Sequence, residues 1–196
     1  NETAFELKNG RFAAGIEGMA EFEADEVIVQ YTNAATTITQ DTTIDVLDLS
    51  YTFASDIAAS TVAFAVKGFS ANVADFVSLE GGLGFKKVGT DMIAVGSNVT
   101  AKLDAGTTAN VSLTDASFGL IMGDNETAFE LKNGRFAAGI EGMAEFEADE
   151  VIVQYTNAAT TITQDTPIDI LDLSYTFASD IASSTVAFAV KGSCAH

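Results

Sequence analysis

The densest group of side chains able to do chemistry is the acidic run EFEADE at 21–26, which recurs at 145–150. Successive side chains of a β-strand point to opposite faces, so alternate acids of this run would share one face. Three carboxylates on one face can supply the hard oxygen ligands that calcium prefers. A solvated strand face that keeps the protein soluble and protects a sheet edge is the structural alternative. The candidate calcium ligands are Glu21, Glu23, Asp25, Glu145, Glu147 and Asp149.

A second acidic group flanks a predicted strand at 47–53 and the copy of that strand. Aspartates near turns commonly accept hydrogen bonds from their own backbone, which is the structural explanation for them. The chemical explanation is a calcium ion that bridges two units, because a cation at a junction would relieve the repulsion between carboxylates. Chelation should then lower the melting temperature. The members are Asp41, Asp45, Asp48, Asp56, Asp165, Asp169, Asp172 and Asp180.

Other chemistries find little support, and we do not expect an enzyme. Glycosidases need paired carboxylates around a bound sugar, but the chain has no tryptophan and only four tyrosines to form aromatic platforms. The glycine-rich GGLGFKK at 81–87 matches neither phosphate-loop spacing, and it predicts a bulge or a close strand crossing. The only cysteine and the only histidine lie in 193–196, which departs from the copied text and is interpreted as a cloning remnant. The repeat itself therefore excludes zinc sites built on cysteine or histidine and thiol catalysis.

Composition limits the partners. The 28 acids and nine bases give a net charge of -19, which repels nucleic acid and anionic membrane surfaces. Cations are the natural ligands of such a chain. A hydrophobic content of 47% is enough to bury a core. Since no apolar run approaches the roughly 18 to 20 residues of a membrane span, membrane insertion is not expected.

The chain is a tandem repeat. Residues 1–68 recur as 125–192 at an offset of 124, with three differences: Thr43→Pro167, Val46→Ile170 and Ala59→Ser183. One complete unit spans 69–192, and 1–68 is the latter part of another. Such faithful copying indicates use for length or multiplicity. Because no linker rich in Ser, Gly and Pro separates the copies, a stiff rod is predicted.

Short runs of alternating apolar and polar residues predict an all-β fold. The alternation often changes phase at a Gly/Asn step, and half-strand patterns recur about every 16 to 18 residues between 76 and 140. Asn9-Gly10 and Gly123-Asp124-Asn125 resemble hairpin loops, which favours an antiparallel meander folded into a two-sheet sandwich over a β-solenoid. Two segments, 11–27 and 55–60, show helical spacing instead.

The sequences NVTAKL (98–103), DASFGLIM (115–122) and GGLGFKK (81–87), together with the acidic β-rich texture, resemble the repeats of giant bacterial surface and adhesin-type proteins. The resemblance implies a structural repeat acting as a stalk or fibre segment, in an extracellular or cell-surface protein of a bacterium or archaeon. The expected partners are adjacent repeats, with end-to-end self-association through unpaired strands. About seven strands a unit would add roughly 34 Å of length. A carbohydrate- or surface-binding module that uses avidity, and an acidic surface-layer protein, are the alternatives.

Overall fold

The computed structural model describes residues 2–74, 76–106, 109–124, 126–141, 144–164 and 167–195. Every regular element in these ranges is a β-strand, which confirms the all-β prediction. The strands are β1 (Ala4–Ile16), β2 (Ala20–Thr32), β3 (Thr43–Val46), β4 (Leu49–Thr52), β5 (Thr61–Val73), β6 (Val77–Val88), β7 (Asp91–Asp104), β8 (Ala109–Met122), β9 (Thr127–Ile140), β10 (Ala144–Thr156), β11 (Pro167–Ile170), β12 (Leu173–Thr176), β13 (Val186–Lys191) and β14 (Cys194–Ala195).

The long strands form one antiparallel sheet in the order β1-β2-β5-β6-β7-β8-β9-β10-β13, and β14 pairs with β10. The meander is interrupted twice. Residues 33–60, the first insert, leave the sheet after β2 and carry the hairpin β3–β4. Residues 157–185, the second insert, leave it after β10 and carry β11–β12. The meander is therefore one long sheet. The inserted hairpins lie on one face of this sheet and form a second layer.

Most of the long strands bend at a bulge near their middle. In β1 the register shifts on both sides of Gly10, next to Asn9 with a φ of 56°, and β9 repeats the shift at Asn133, with a φ of 61°. A bulge adds one residue and sends later side chains to the other face, which explains the phase change in the sequence. Asn9-Gly10 was wrongly interpreted as a hairpin loop. Gly81 occupies a comparable break in β6, as a bulge at GGLGFKK predicts.

Three local predictions were wrong. The run at 47–53 is not one strand, because a turn at Leu47 and Asp48 separates β3 from β4. Residues 11–27 are the end of β1, a turn and the start of β2, although their apolar spacing resembles that of a helix. Within 55–60, Ile57 forms a β-bridge with Ile38 instead of a helical turn. In all three places pairing between strands outweighs a weak local preference, across a tight turn in the first two and between Ile38 and Ile57 in the third.

Because the period is 124 residues, repeats can also be counted from residue 1, so that residues 1–124 form the first repeat and the second begins at residue 125. Counted in this way, the sheet runs across the boundary between repeats. Strands β9 to β13 repeat β1 to β5, so one period consists of six sheet strands (β1, β2 and β5–β8) and one hairpin. At the boundary, β8 and β9 pair from Ala109↔Ile140 to Met122↔Thr127, as completely as strands inside the unit. Six strands at their usual spacing add about 29 Å per unit, less than the seven strands we expected.

The two faces of the sheet differ. The hairpin face is covered in its centre by β11–β12. We call the opposite face the open face. It carries a row of aromatic side chains, because each aromatic residue of the row is next in its strand to a residue that points to the hairpin face. Its exposed members are Phe5, Tyr31, Phe64, Tyr155 and Phe188. Cross-strand pairs such as Phe5↔Tyr31 continue the row from strand to strand.

Candidate functional site

The best-defined site is the contact between the second insert and the sheet. Hairpin β11–β12 lies across β5, β6, β7 and β8, and its apolar side chains enter the principal core cluster. Ile168 is 2% exposed and Ile170 is fully buried. The buried members of the cluster are Ala65, Val95, Ala128, Ile168, Ile170, Leu173, Tyr175, Phe177 and Ile181.

Small residues of the sheet create the space for this hairpin. We call the surface formed by Ala65, Gly84, Val95, Gly119 and Ala128 the hairpin groove. A Cβ atom on Gly84 would lie 3.2 Å from the Cβ of Ile170, and one on Gly119 would lie 2.3 Å from Cδ1 of Tyr175. The first distance is tight for a Cβ atom and the second is too short for one, so Gly119 in particular allows the Tyr175 ring to lie against the backbone of β8.

Substituting Gly119 with alanine should weaken the attachment of the second insert. The added methyl group would overlap Tyr175 and also lie 2.9 Å from Cδ1 of Ile168, and both side chains are packed on all sides. We expect Gly119→Ala to destabilise the protein by about 1–3 kcal/mol in urea unfolding. Gly106→Ala is a poor control because Gly106 has a φ of 72°. Gly139→Ala is suitable, since its nearest neighbour is 3.4 Å away at the exposed Asn110. Equal unfolding curves for Gly119→Ala and Gly139→Ala would contradict the packing described here.

A buried carboxylate joins the second insert to the sheet. Glu130 of β9 has no exposed surface. It accepts hydrogen bonds from the Tyr175 hydroxyl at 2.7 Å, the Ala178 amide at 2.7 Å and the Gln154 side chain at 2.6 Å. Gln154 also donates to Ser179 of the insert at 3.0 Å. Three donors from the hairpin, the loop and the neighbouring strand therefore converge on one carboxylate, which compensates for its removal from water.

A lysine adds a second polar contact at the same place. The Lys132 amine lies 4.4 Å from the centre of the Tyr175 ring and also donates a hydrogen bond to the Thr176 carbonyl oxygen. Such a cation over an aromatic face is attracted by the ring quadrupole. The lysine and the carboxylate are both on β9, so this strand holds the hairpin from one edge of the groove.

The first insert repeats the same network on β1. Glu6 accepts hydrogen bonds from Tyr51 at 2.7 Å, Ala54 at 2.8 Å and Gln30 at 2.6 Å. Burial acts to raise the pKa of Glu6, but the hydrogen bonds from these three donors outweigh it and the pKa is lowered. Burial, and then the hydrogen bond to Glu6, raise the pKa of Tyr51 to about 12.

Sequence analysis missed both Glu6 and Glu130. Each is a single acid in an otherwise apolar run, AFEL. Glu6 is half-buried and Glu130 is buried, although the apolar residues next to them in the chain are half-buried or exposed. A carboxylate at an interior position needs hydrogen-bond donors. That pattern could have identified these residues, but the sequence does not indicate that the donors come from an insert 45 residues away.

The tyrosine–carboxylate pairs predict a loss of stability at alkaline pH. Burial and the hydrogen bond to Glu130 raise the pKa of Tyr175 above its ordinary value of 10.0, as for Tyr51. A tyrosine whose pKa is raised by folding adds to the free energy of unfolding. This contribution is present in full below pH 10, and it is lost as the pH rises through the folded-state pKa. We expect stability to fall from about pH 10 upwards, into the range near 12 where Tyr51 ionises.

The measurement is urea unfolding at several pH values, with tyrosinate absorption followed in parallel. Tyr175→Phe should remove a late-titrating group and make the loss of stability between pH 10 and 12 smaller. If Tyr175→Phe instead removes a tyrosine that titrates near the ordinary pKa of 10.0, the hydroxyl is not held by Glu130.

The predicted acidic residues occupy mostly exposed positions. Glu21, Glu23 and Asp25 are exposed along β2, and their copies Glu145, Glu147 and Asp149 are exposed along β10. Asp56 and Asp180 accept hydrogen bonds from the backbone amides of Gln40 and Gln164 at 2.8 Å, so each joins two parts of its insert that lie 16 residues apart. Asp41 is exposed, and Asp165 lies outside the described residues. Asp45 and Asp169 lie opposite serines in the two hairpins, and Asp48 and Asp172 lie at their tips.

The structure does not gather these acids into a metal site. Within the described ranges, no group of three or more His, Cys, Asp or Glu side chains is placed to hold a metal ion. Asp172 instead forms an ion pair with Lys67 at 2.9 Å. Hydrogen bonds to Asp172 and Glu26 raise the pKa of Lys67. Calcium binding by these carboxylates stays a prediction. If it occurs, adding a chelator to a calcium-loaded sample lowers the melting temperature, and an unchanged melting curve contradicts it.

Comparison with known proteins gives no match to a family model, to a curated protein or to a solved structure. In the part of the chain that the structure describes, no helix is long and apolar enough to cross a membrane. The geometry of the sheet and its inserts is therefore the basis on which a function is proposed.

Proposed function

We propose that the chain is a structural repeat of a large extracellular protein, where it acts as a stiff stalk or fibre segment in adhesion. One observation carries this proposal: a single hydrogen-bonded sheet passes from one repeat into the next. A joint between separate domains would place few contacts at the boundary and would allow the units to move independently. Here the boundary is an ordinary strand pair.

The second insert reinforces the boundary. It leaves the sheet after β10, which belongs to the second repeat. It then packs on β5 to β8, which belong to the first repeat. Its tip reaches Lys67 of β5 through Asp172. Bending the sheet between β8 and β9 would have to disturb the ladder and the buried cluster together. Such sharing of cohesion between neighbouring units is what makes repeat arrays stiff.

The composition agrees with an extracellular stalk. A net charge of -19 keeps an elongated surface soluble and makes successive units repel one another, which favours an extended array. The repeat itself holds no cysteine, so its stability comes from strand pairing and the packing of the inserts.

Small-angle scattering of proteins with two and four complete units tests the proposal. We expect the maximum dimension to grow by about 29 Å for each added unit, because each unit adds six strands at fixed spacing. A control with a flexible Gly/Ser segment inserted between residues 123 and 126 should lose this linear growth. If the unaltered proteins themselves lengthen only as the square root of unit number, the units are a flexible chain and the proposal fails.

A surface-binding module is the second candidate, and the open face is the observation that favours it. Phe5 and Tyr31 recur as Phe129 and Tyr155, so the row presents similar aromatic side chains once per repeat. Aromatic rings can stack on flat carbohydrate surfaces, and repetition adds avidity. Retention on insoluble polysaccharide that is lost in Tyr155→Ser and kept in Thr160→Ser would favour this role. Equal passage of both variants and the unaltered protein would exclude it for the polysaccharides tested.

A further inference from the structure

The two hairpins have nearly the same sequence and very different surroundings. Ile44 is 45% exposed whereas its copy Ile168 is 2% exposed. Leu49 is 78% exposed whereas its copy Leu173 is 8% exposed. The hairpin β3–β4 therefore presents to solvent the apolar residues that β11–β12 buries. Scattered exposed apolar residues are normal, but a matched set that is buried in a second copy indicates a missing contact surface.

The position of the hairpins in the sheet explains the difference. Hairpin β11–β12 packs on β5 to β8, which precede β9 in the sheet order. The equivalent strands for β3–β4 would precede β1, and in the described structure β1 is the edge strand. Between β1 and β3–β4 the structure has an open groove of about 440 Å³, lined by residues that include Ala4, Ile44, Leu49 and Tyr51. This space beside β1, which is distinct from the hairpin groove, lies where the next strand of the sheet would pass.

We propose that β3–β4 is a docking surface for a second copy of strands β5 to β8, supplied by the preceding repeat of the same polypeptide. Each insert then fastens its own repeat to the one before it. The inference deepens the proposed function and depends on it, because it requires successive repeats to continue a single sheet.

The geometry of the occupied copy shows how this partner fits. In the structure β8 pairs with β9, and Gly119 lies opposite Glu130. If the β8 strand of a preceding repeat paired with β1 in the same register, its copy of Gly119 would lie opposite Glu6. It would then lie beneath Tyr51, which already holds the hydrogen bond to Glu6 that Tyr175 makes to Glu130. The polar half of the attachment is thus already formed in the first insert, whereas Ile44 and Leu49 of its apolar half are exposed.

Charge supports the same partner. At the tip of the second hairpin, Asp172 pairs with Lys67. Its copy Asp48 has no ion-pair partner among the residues that the structure describes. Lys67 of a preceding repeat would reach Asp48 in the docked arrangement. A partner made of β5 to β8 therefore supplies both the small-residue groove and the cation.

A separate molecule of this chain does not fit the surface equally well. Its own strands β5 to β8 are already covered by its second insert. Those strands are therefore not free to cover the first hairpin of another molecule. The occupant that fits is an uncovered copy of the same four strands.

The test is an extended chain in which a copy of residues 61–124 precedes residue 1, which reproduces the junction between residues 124 and 125. Hydrogen exchange is followed by NMR or mass spectrometry at the amides of residues 44–51 and 168–175. We expect exchange at 44–51 to slow until it matches 168–175. In the extended chain, Leu49→Ala should speed exchange of the first hairpin by about thirtyfold or more, because it then removes a buried side chain. In the original chain Leu49→Ala should change the exchange rate of the first hairpin by about twofold or less.

A second variant makes the result independent of how the added segment affects overall folding. Gly119→Ala in the added segment fills the groove beneath Tyr51 and should restore fast exchange at 44–51, while 168–175 remains protected as an internal control. If exchange at 44–51 stays fast in the extended chain while scattering shows the sheet lengthened, the docking proposal is wrong and the stalk proposal stands. If 44–51 is protected but arrays of units scatter as flexible chains, the docking proposal stands and the stalk proposal fails. Protection that persists in the Gly119→Ala variant also overturns docking at this groove.

Discussion

Replacing Glu130 with alanine is expected to destabilise the protein by about 3–5 kcal/mol, more than any other single polar substitution we consider. The change removes the carboxylate that accepts three hydrogen bonds. The Tyr175 hydroxyl, the Ala178 amide and the Gln154 side chain each lose this acceptor. Each buried donor without a partner costs about 1–3 kcal/mol, and the space left by the carboxylate adds to the loss. Urea unfolding of Glu130→Ala against the unaltered protein measures the effect.

Glu6→Ala is the matched control for this prediction. Glu6 makes the same three types of hydrogen bond, but it is only half-buried and its hairpin is uncovered. Water can therefore replace the lost acceptor, and we expect a cost of about 1–2 kcal/mol. Local hydrogen exchange should show faster opening of 33–60 in Glu6→Ala and of 157–185 in Glu130→Ala. Equal costs at the two positions would mean that burial by the sheet does not determine the strength of the network.

Truncation of an isoleucine should show the largest apolar effect, and only in the covered hairpin. Ile168→Ala removes a side chain that is 2% exposed and packs against the groove above Gly119. We expect a loss of about 2–5 kcal/mol, the usual cost of removing a buried aliphatic side chain. Ile44→Ala, at the equivalent position and with 45% of the residue exposed, should cost about 0.5 kcal/mol or less.

The pair of variants is informative because the two isoleucines have nearly identical neighbours in the chain. Residues 44–52 and 168–176 differ only where Val46 becomes Ile170. The turn sequence is therefore the same in both hairpins, and Thr43 in place of Pro167 is the other difference within these strands. The difference in cost chiefly reports the contact with β5 to β8. Thermal unfolding followed by circular dichroism is sufficient to measure it. A loss of stability in Ile44→Ala as large as in Ile168→Ala would show that the first hairpin is covered in solution.

Much of the fold was predictable because it depends on local patterns. The alternation in AFELK and VAFAV predicted strands, and the phase change at Asn133 indicated a turn or a bulge, although the copy of this step at Asn9 was interpreted as a hairpin loop. The meander follows from these patterns because short connections join neighbouring antiparallel strands. Predictions failed where two short strands meet in a hairpin, since Val46, Leu47 and Leu49 are all apolar and nothing in their pattern shows the turn between them.

The candidate site was less predictable. The sequence drew attention to the conspicuous acids of EFEADE, which lie exposed on β2 and β10. The inconspicuous Glu6 and Glu130 hold the inserts, and their partners lie 24 to 48 residues away along the chain. Such separations place the donors beyond any local pattern, so only the folded sheet brings them together.

The amino-acid order alone determined that this protein is a tandem repeat of β-strands with a period of 124 residues, because duplication and side-chain alternation are written into the chain. The structure supplied the count of six sheet strands and one inserted hairpin per period. Tertiary structure alone decided which hairpin is buried. Ile44 and Ile168 have the same side chain in the same local sequence, yet one faces water and the other is packed against Gly119. Burial depends on the strands that lie across the sheet, and those neighbours differ between the two copies.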